Sequence, residues 1–157
     1  MKTSKGMTGI AVAASLLCTV SIVWIFCQSY FISTESGEGC IEWHEELYPL
    51  QAAIFTGRLL FKSVFYALIM VFLFKQIKAI KSGVLFPGIN VTILHCIAGS
   101  YLIGNICDDN IATALTSSNH AAFAINGDTL LYAALLVVFA LIYKVAVRVS
   151  EENNLTI

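Results

Sequence analysis

RLLFKSVFYALIMVFLFKQIKAIKSGVLFPG, residues 58–88, joins a long apolar run to a basic hinge and a restart. Between Lys62 and Lys75 it carries no charge; then Lys75, Lys78 and Lys81 follow in quick succession. Ser82-Gly83 stops a helix there, and Pro87-Gly88 starts the next after the short apolar stretch Val84 to Phe86. A helix rises about 1.5 Å per residue, so about 20 mostly apolar residues cross about 30 Å of hydrocarbon. The stretch therefore reads as one end of a membrane-spanning helix turned by a tight hairpin into a second.

Working outward, the pattern recurs. Four apolar segments, Met7 to Phe31, Leu50 to Phe74, Gly88 to Ile106 and Thr129 to Val147, fill most of the 157 residues. With 58% hydrophobic residues, 12% charged and a mean hydropathy of +0.81, the chain cannot hide its apolar surface in water. The expected fold is all-α: an integral membrane four-helix bundle forming a single transmembrane domain over residues 1–157, with two outer loops and a tail at 148–157. The first segment follows Lys2 and Lys5 but precedes no small-residue cleavage site, so an uncleaved helix is expected. Gly9, Ala11, Ala13, Ala14 and Ser15 on it suit close helix approach.

The charges sort by sign. Lys2, Lys5, Lys75, Lys78, Lys81, Lys144 and Arg148 fall on one side of the implied membrane; Glu35, Glu38, Glu42, Glu45, Glu46, Asp108, Asp109 and Asp128 fall on the other. Retained lysines and arginines mark the cytoplasmic face, so both termini and the 75–81 hinge are expected inside, with membrane lipid as the surrounding partner.

Segment two contains the least comfortable residues. Counting back from Lys75, Lys62 lies about 20 Å and Arg58 about 25 Å into the membrane. They stand one turn apart on a single face, which should look inward toward an outer acid: Glu42, Glu45, Glu46, Asp108 or Asp109. With His95 and Asn105 of segment three they form the candidate intramembrane polar site. An anion or headgroup pocket is one reading; snorkelling plus a structural ion pair is the simpler one. His95 is expected to be a neutral ring hydrogen-bonded across the bundle, and Ser100 and Gly104 should turn one face toward a neighbouring helix.

The outer connections are less informative. Glu42, His44, Glu45 and Glu46 hold possible metal ligands, but no second histidine or cysteine stands at coordinating spacing, and an acidic interfacial loop is expected instead. Pro49 suits the start of segment two. In the second connection a surface helix is expected around Ile111 to Leu115, then a turn at Asn126-Gly127 with Asp128 as N-cap. Cys40 and Cys107 both fall on the outer side and form the candidate disulfide. Tyr143, Lys144 and Arg148 are expected to anchor the last helix at the cytoplasmic surface. No catalytic residue, metal site or cofactor is expected.

The hinge Lys81-Ser82-Gly83-Val84-Leu85-Phe86, followed by Asn90-Val91, and the ending Glu151-Glu152-Asn153-Asn154-Leu155-Thr156-Ile157 resemble the bacterial family catalogued as domain of unknown function 2975. Members are small four-helix membrane proteins, often encoded beside a small helix-turn-helix regulator. Asn154 stands where that family usually has aspartate, and Pro87 enters a hinge position that is usually polar. The resemblance implies a bacterial inner-membrane protein that is the membrane component of a regulatory pair; no direct contact with nucleic acid is expected. Asn90 together with Glu151, Glu152, Asn153, Asn154, Leu155, Thr156 and Ile157 is then the candidate cytoplasmic partner surface, and contact between Asn90 and the tail is expected. A non-enzymatic regulator or sensor leads. A small-solute transporter or channel subunit, formed as a homo-oligomer, and a lipid- or anion-binding protein are the alternatives.

Overall fold

The computed structural model describes residues 2–35, 40–41, 43–115 and 124–154. Among them the regular structure is entirely helical: α1 Lys2–Thr34, α2 Tyr48–Lys81, α3 Ile89–Leu115 and α4 Gly127–Asn154. All four are long and apolar enough to cross a membrane, with spans Thr8–Thr34, Tyr48–Lys81, Ile89–Ile111 and Gly127–Asn153.

Each helix outruns the apolar segment that announced it. Hydropathy marks the part that lipid covers, whereas the i to i−4 ladder continues into polar sequence until a breaker stops it. The consequence is largest for α3, expected to end at Ile106. It runs on through Cys107, Asp108, Asp109 and Asn110 and absorbs the separate surface helix expected at Ile111 to Leu115. Two acids therefore ride on a spanning helix rather than a loop. At the other end of the chain, α4 continues to Asn154, so most of the expected tail is helical; Leu155, Thr156 and Ile157 lie outside the described residues, as does Glu42 of the first outer connection.

The helix ends follow local chemistry. Pro49 sits in the first turn of α2, where its missing N–H has no helical partner to lose. That helix closes on Gly83 at φ +85°, in the left-handed region that glycine enters without a Cβ penalty. The Val84 N–H reaches back to the Ala79 carbonyl at 2.9 Å, giving the αL stop that turns the chain. The start of α4 departs from expectation: Asn126, not Asp128, is the capping side chain, because its Oδ1 accepts the Asp128 N–H at 3.1 Å. Asp128 lies inside the first turn, where a carboxylate suits the positive end of the helix dipole.

Successive helices run antiparallel: late α1 meets early α2, late α2 meets early α3, and late α3 meets early α4. α2 and α3 pack most intimately, α1 leans on α2, and α4 leans on α3; the backbones of α1 and α4 do not meet. The result is an open row of four helices. α1 buries Ala11, Cys18 and Ile25 at heptad spacing, with Ser29 beyond them. Gly9 has no neighbour within 4 Å of its Cβ position, so the close approach expected there is not made.

The apolar core gathers Ile93, Leu94 and Ile97 of α3 with Ala140, Tyr143 and Val147 of α4, and Phe65, Leu68 and Phe72 of α2 pack against it. The expected small face of α3 is used. A Cβ on Gly104 would lie 3.2 Å from the Lys62 backbone nitrogen, and one on Gly57 would lie 2.9 Å from Cys107 Sγ. Gly104 lets α2 and α3 touch nearly backbone to backbone, and Gly57 makes room for the Cys107 sulfur.

Candidate functional site

The same close approach builds a charged cluster at the acid-rich end. Gly57 precedes Arg58, and Lys62 lies over Gly104, which stands one turn before Asp108. A Cβ at Gly57 would meet the Cys107 sulfur and one at Gly104 would crowd Lys62, so the spacing of the cluster rests on these small residues. Arg58 Nε donates to Asp108 Oδ1 at 2.5 Å, and Lys62 Nζ donates to Asp108 Oδ2. One carboxylate thus bridges both cations, and Asp108 is the partner among the five acids considered.

α1 completes the shell. Arg58 Nη1 donates to Ser29 Oγ at 2.7 Å and Nη2 to Gln28 Oε1 at 2.9 Å. Arg58 is 3% exposed, whereas the side chains of Lys62 and Asp108 are 20% and 34% exposed. Two cations against one carboxylate leave a net charge of +1, and of the two cationic side chains Lys62 is the more exposed. A buried pair that loses one partner leaves an uncompensated charge in a low dielectric, the costliest single event open to such a cluster.

A second cluster sits at the Lys-rich end and is neutral. Asn90 of α3 is fully buried, and its Nδ2 donates to Gln76 Oε1 of α2 at 2.9 Å and to Tyr143 Oη of α4 at 3.3 Å. Tyr143 Oη donates to the same Gln76 oxygen at 2.7 Å, while Gln76 Nε2 holds the Leu85 carbonyl of the hinge at 2.6 Å. Two expectations are corrected here. Asn90 is a fully buried tie between three helices and not part of a partner surface, and its hydrogen bonds go to Gln76 and Tyr143 rather than to the described residues of the tail. Tyr143 is likewise 6% exposed rather than a surface anchor, because its ring packs against Phe72 and Phe86 and its hydroxyl points at Gln76.

A third set of bonds closes the acid-rich end over α4. Asn110 clamps the Ala124 backbone, donating to its carbonyl at 2.7 Å and accepting its N–H at 2.8 Å, and Asp109 Oδ2 accepts the Thr129 hydroxyl at 3.0 Å.

The remaining expected site residues do not join these clusters. His95 is exposed on the outer face of α3, with Nδ1 2.8 Å from its own helix's Val91 carbonyl, so it does not bond across the bundle. Asn105 also turns back on its own helix, to the Tyr101 carbonyl at 2.8 Å. Arg58 and Lys62 therefore share a site, but His95 and Asn105 are not in it. A cleft of about 390 Å³ between α2, α3 and α4 is lined by Phe65, Tyr101, Tyr132, Leu135 and Leu136, without a charged side chain.

Cys40 and Cys107 are both free thiols. Cys107 sits on the α3 face that grips Gly57, and Cys40 lies beside Ile41, whose N–H is tied to the Ile32 carbonyl at 2.8 Å. The expected disulfide is not formed, because helix packing directs the Cys107 sulfur at α2. Glu151, Glu152 and Asn153 are exposed on the last turns of α4. Among the described residues no group of three His, Cys, Asp or Glu side chains converges on a metal position.

Sequence reading missed Gln28, Ser29, Gln76 and Tyr143 as cluster members. The signal for the first two was a polar pair near the end of an apolar run; Gln76 was hidden among lysines. Compared with known protein families, with curated proteins and with solved structures, the chain matches none of them.

Proposed function

We propose that this chain is a non-enzymatic multipass membrane protein of the bacterial inner membrane, with both ends and the 82–88 hinge in the cytoplasm, acting as the membrane component of a sensory or regulatory pair. The observation that supports this reading is how the intramembrane polar groups are used. Arg58 is occupied by Asp108, Ser29 and Gln28, and Asn90 by Gln76 and Tyr143. These groups tie helices together instead of converging on a reacting centre or lining a route across the membrane. A protein built this way transmits helix rearrangements rather than chemistry.

Lys75, Lys78, Lys81, Lys144 and Arg148 are exposed at one end, next to Glu151 and Asn153 of the helical extension of α4. That end offers a partner both a cationic rim and a protruding helix. The resemblance to a family found beside helix-turn-helix regulators points to such a regulator as the partner. A pull-down from membranes comparing the full chain with a truncation after Ser150 tests it: the regulator is recovered with the full chain and lost with the truncation, and equal recovery rules out docking on the extension.

A second reading concerns the opposite end. The net positive charge and partial exposure of Lys62 favour an anion or a lipid phosphate as the sensed group. Lys62→Met tests this by titration of anionic against zwitterionic vesicles; unchanged lipid preference in a folded variant removes the sensing role.

A further inference from the structure

α3 is covered by neighbours on two sides, yet one of its faces is bare and presents an imidazole within the span. Thr92, His95, Cys96, Gly99 and Ile103 are exposed. At 100° per residue they fall in a strip about 100° wide, opposite the buried Asn90, Ile93, Ile97 and Gly104. The exposed faces of α1 and α4 carry large hydrocarbon side chains such as Leu16, Leu17, Val20, Leu131, Leu135 and Ile142. Lipid tails suit those faces. They do not suit an imidazole, a hydroxyl and a bare glycine.

The hydrogen-bonding state of the strip sharpens the contrast. His95 Nδ1 lies 2.8 Å from the Val91 carbonyl, which can only accept, so Nδ1 carries the proton and Nε2 is left as a lone-pair acceptor. That acceptor stands about 9 Å into the span, six residues on from Ile89, where water is scarce. Thr92, one turn away on the same strip, brings a hydroxyl donor. Gly99 has nothing within 4 Å of its Cβ position, so this chain's own packing gives no reason for a glycine there. Gly104 on the opposite face does have such a reason.

We propose that α3 pairs with α3 of a second copy of this chain, through Thr92, His95, Cys96 and Gly99. The strip holds both a donor and an acceptor, so it is self-complementary: a two-fold axis along the membrane normal lets Thr92 of each copy donate to His95 of the other. Two copies inserted in the same orientation place their α3 helices parallel, with Gly99 at the crossing, where the absent side chain lets the backbones approach. Small residues at a crossing and polar side chains bonding across it are the forces that associate helices in lipid. Isologous pairing also closes, giving a dimer and not a filament.

The test uses the full chain, labelled for energy transfer and reconstituted in liposomes over a range of protein-to-lipid ratios. Wild type is expected to dimerise. Gly99→Leu and His95→Leu are each expected to weaken dimerisation about tenfold or more, the equivalent of about 1.4 kcal/mol, while Leu141→Ala on the lipid face of α4 leaves it unchanged. Because the Gly99 Cβ position is empty, Gly99→Leu should unfold at the wild-type temperature at protein-to-lipid ratios low enough to keep both monomeric. Wild type that stays monomeric at every ratio, or a dimer that survives both leucine substitutions, overturns the proposal. A measurement independent of the leucine variants uses oxidative cross-linking in native membranes. A chain retaining only Cys96 should link to itself, and one in which Val138→Cys on α4 supplies the single cysteine should not; failure of the Cys96 link overturns the pairing as well.

Discussion

The two ends of the helix row solve one problem in different currencies. At the acid-rich end Arg58, Lys62 and Asp108, with Ser29 and Gln28, join α1, α2 and α3 through charge. At the Lys-rich end Gln76, Asn90 and Tyr143 join α2, α3 and α4 through neutral amide and hydroxyl groups. The backbones of α1 and α4 do not meet, and the charged cluster ties α1 to the central pair while the neutral one helps to tie α4. The difference lies in what happens when one member is lost. A neutral network that loses a side chain leaves unpaired dipoles, costing about 1–3 kcal/mol each, whereas a charged one leaves a bare ion, costing about 3–5 kcal/mol. The charged end is thus the more brittle.

The comparison is most exposed at Asp108. Asp108→Asn leaves Arg58 and Lys62 without a counter-charge and should destabilise the protein by about 3–5 kcal/mol, read as the unfolding free energy in bicelles. A loss under about 1 kcal/mol would mean that the two ends do not differ in kind. Next in size is the glycine contact that sets the helix spacing. Gly57→Ala should cost about 1–3 kcal/mol by overpacking on Cys107, and adding Cys107→Ala should restore most of the loss in the same unfolding assay. If the second substitution restores nothing, the 2.9 Å approach to Cys107 Sγ is not what limits α2 against α3.

Asn90→Ala should cost about 1–2 kcal/mol, because Gln76 and Tyr143 keep each other. Amide exchange at the hinge should change little, since Gln76 still holds the Leu85 carbonyl. Smallest is Lys62→Met. The Arg58 and Asp108 pair remains neutral as a unit, so stability should move by less than about 1 kcal/mol. A loss as large as that of Asp108→Asn would make Lys62 an obligatory structural ion rather than the excess cation of the site.

Legibility divided along similar lines. The inward-facing Arg58 and Lys62 were readable from i, i+4 spacing, and the contact face of α3 from Ser100 and Gly104. Asp108 was only one of five acids, because the apolar segment seemed to stop at Ile106 and placed it in a loop. Asn90 was misjudged for the opposite reason: a polar residue beside a hinge looks solvated, yet helix rotation aims it between α2 and α4. His95 failed similarly, since nothing local told which way its face would point.

Hydropathy is a property of short windows, and lipid acts on each window separately; so the chain alone determined four apolar helices and the basic hinge between the second and third. Which carboxylate meets Arg58, where Asn90 and Tyr143 are buried, and why His95 and Gly99 face outward depend on the rotation of one helix against another. That rotation is set jointly by the Gly57 and Gly104 contacts and the core between α3 and α4, and only the assembled structure contains them together.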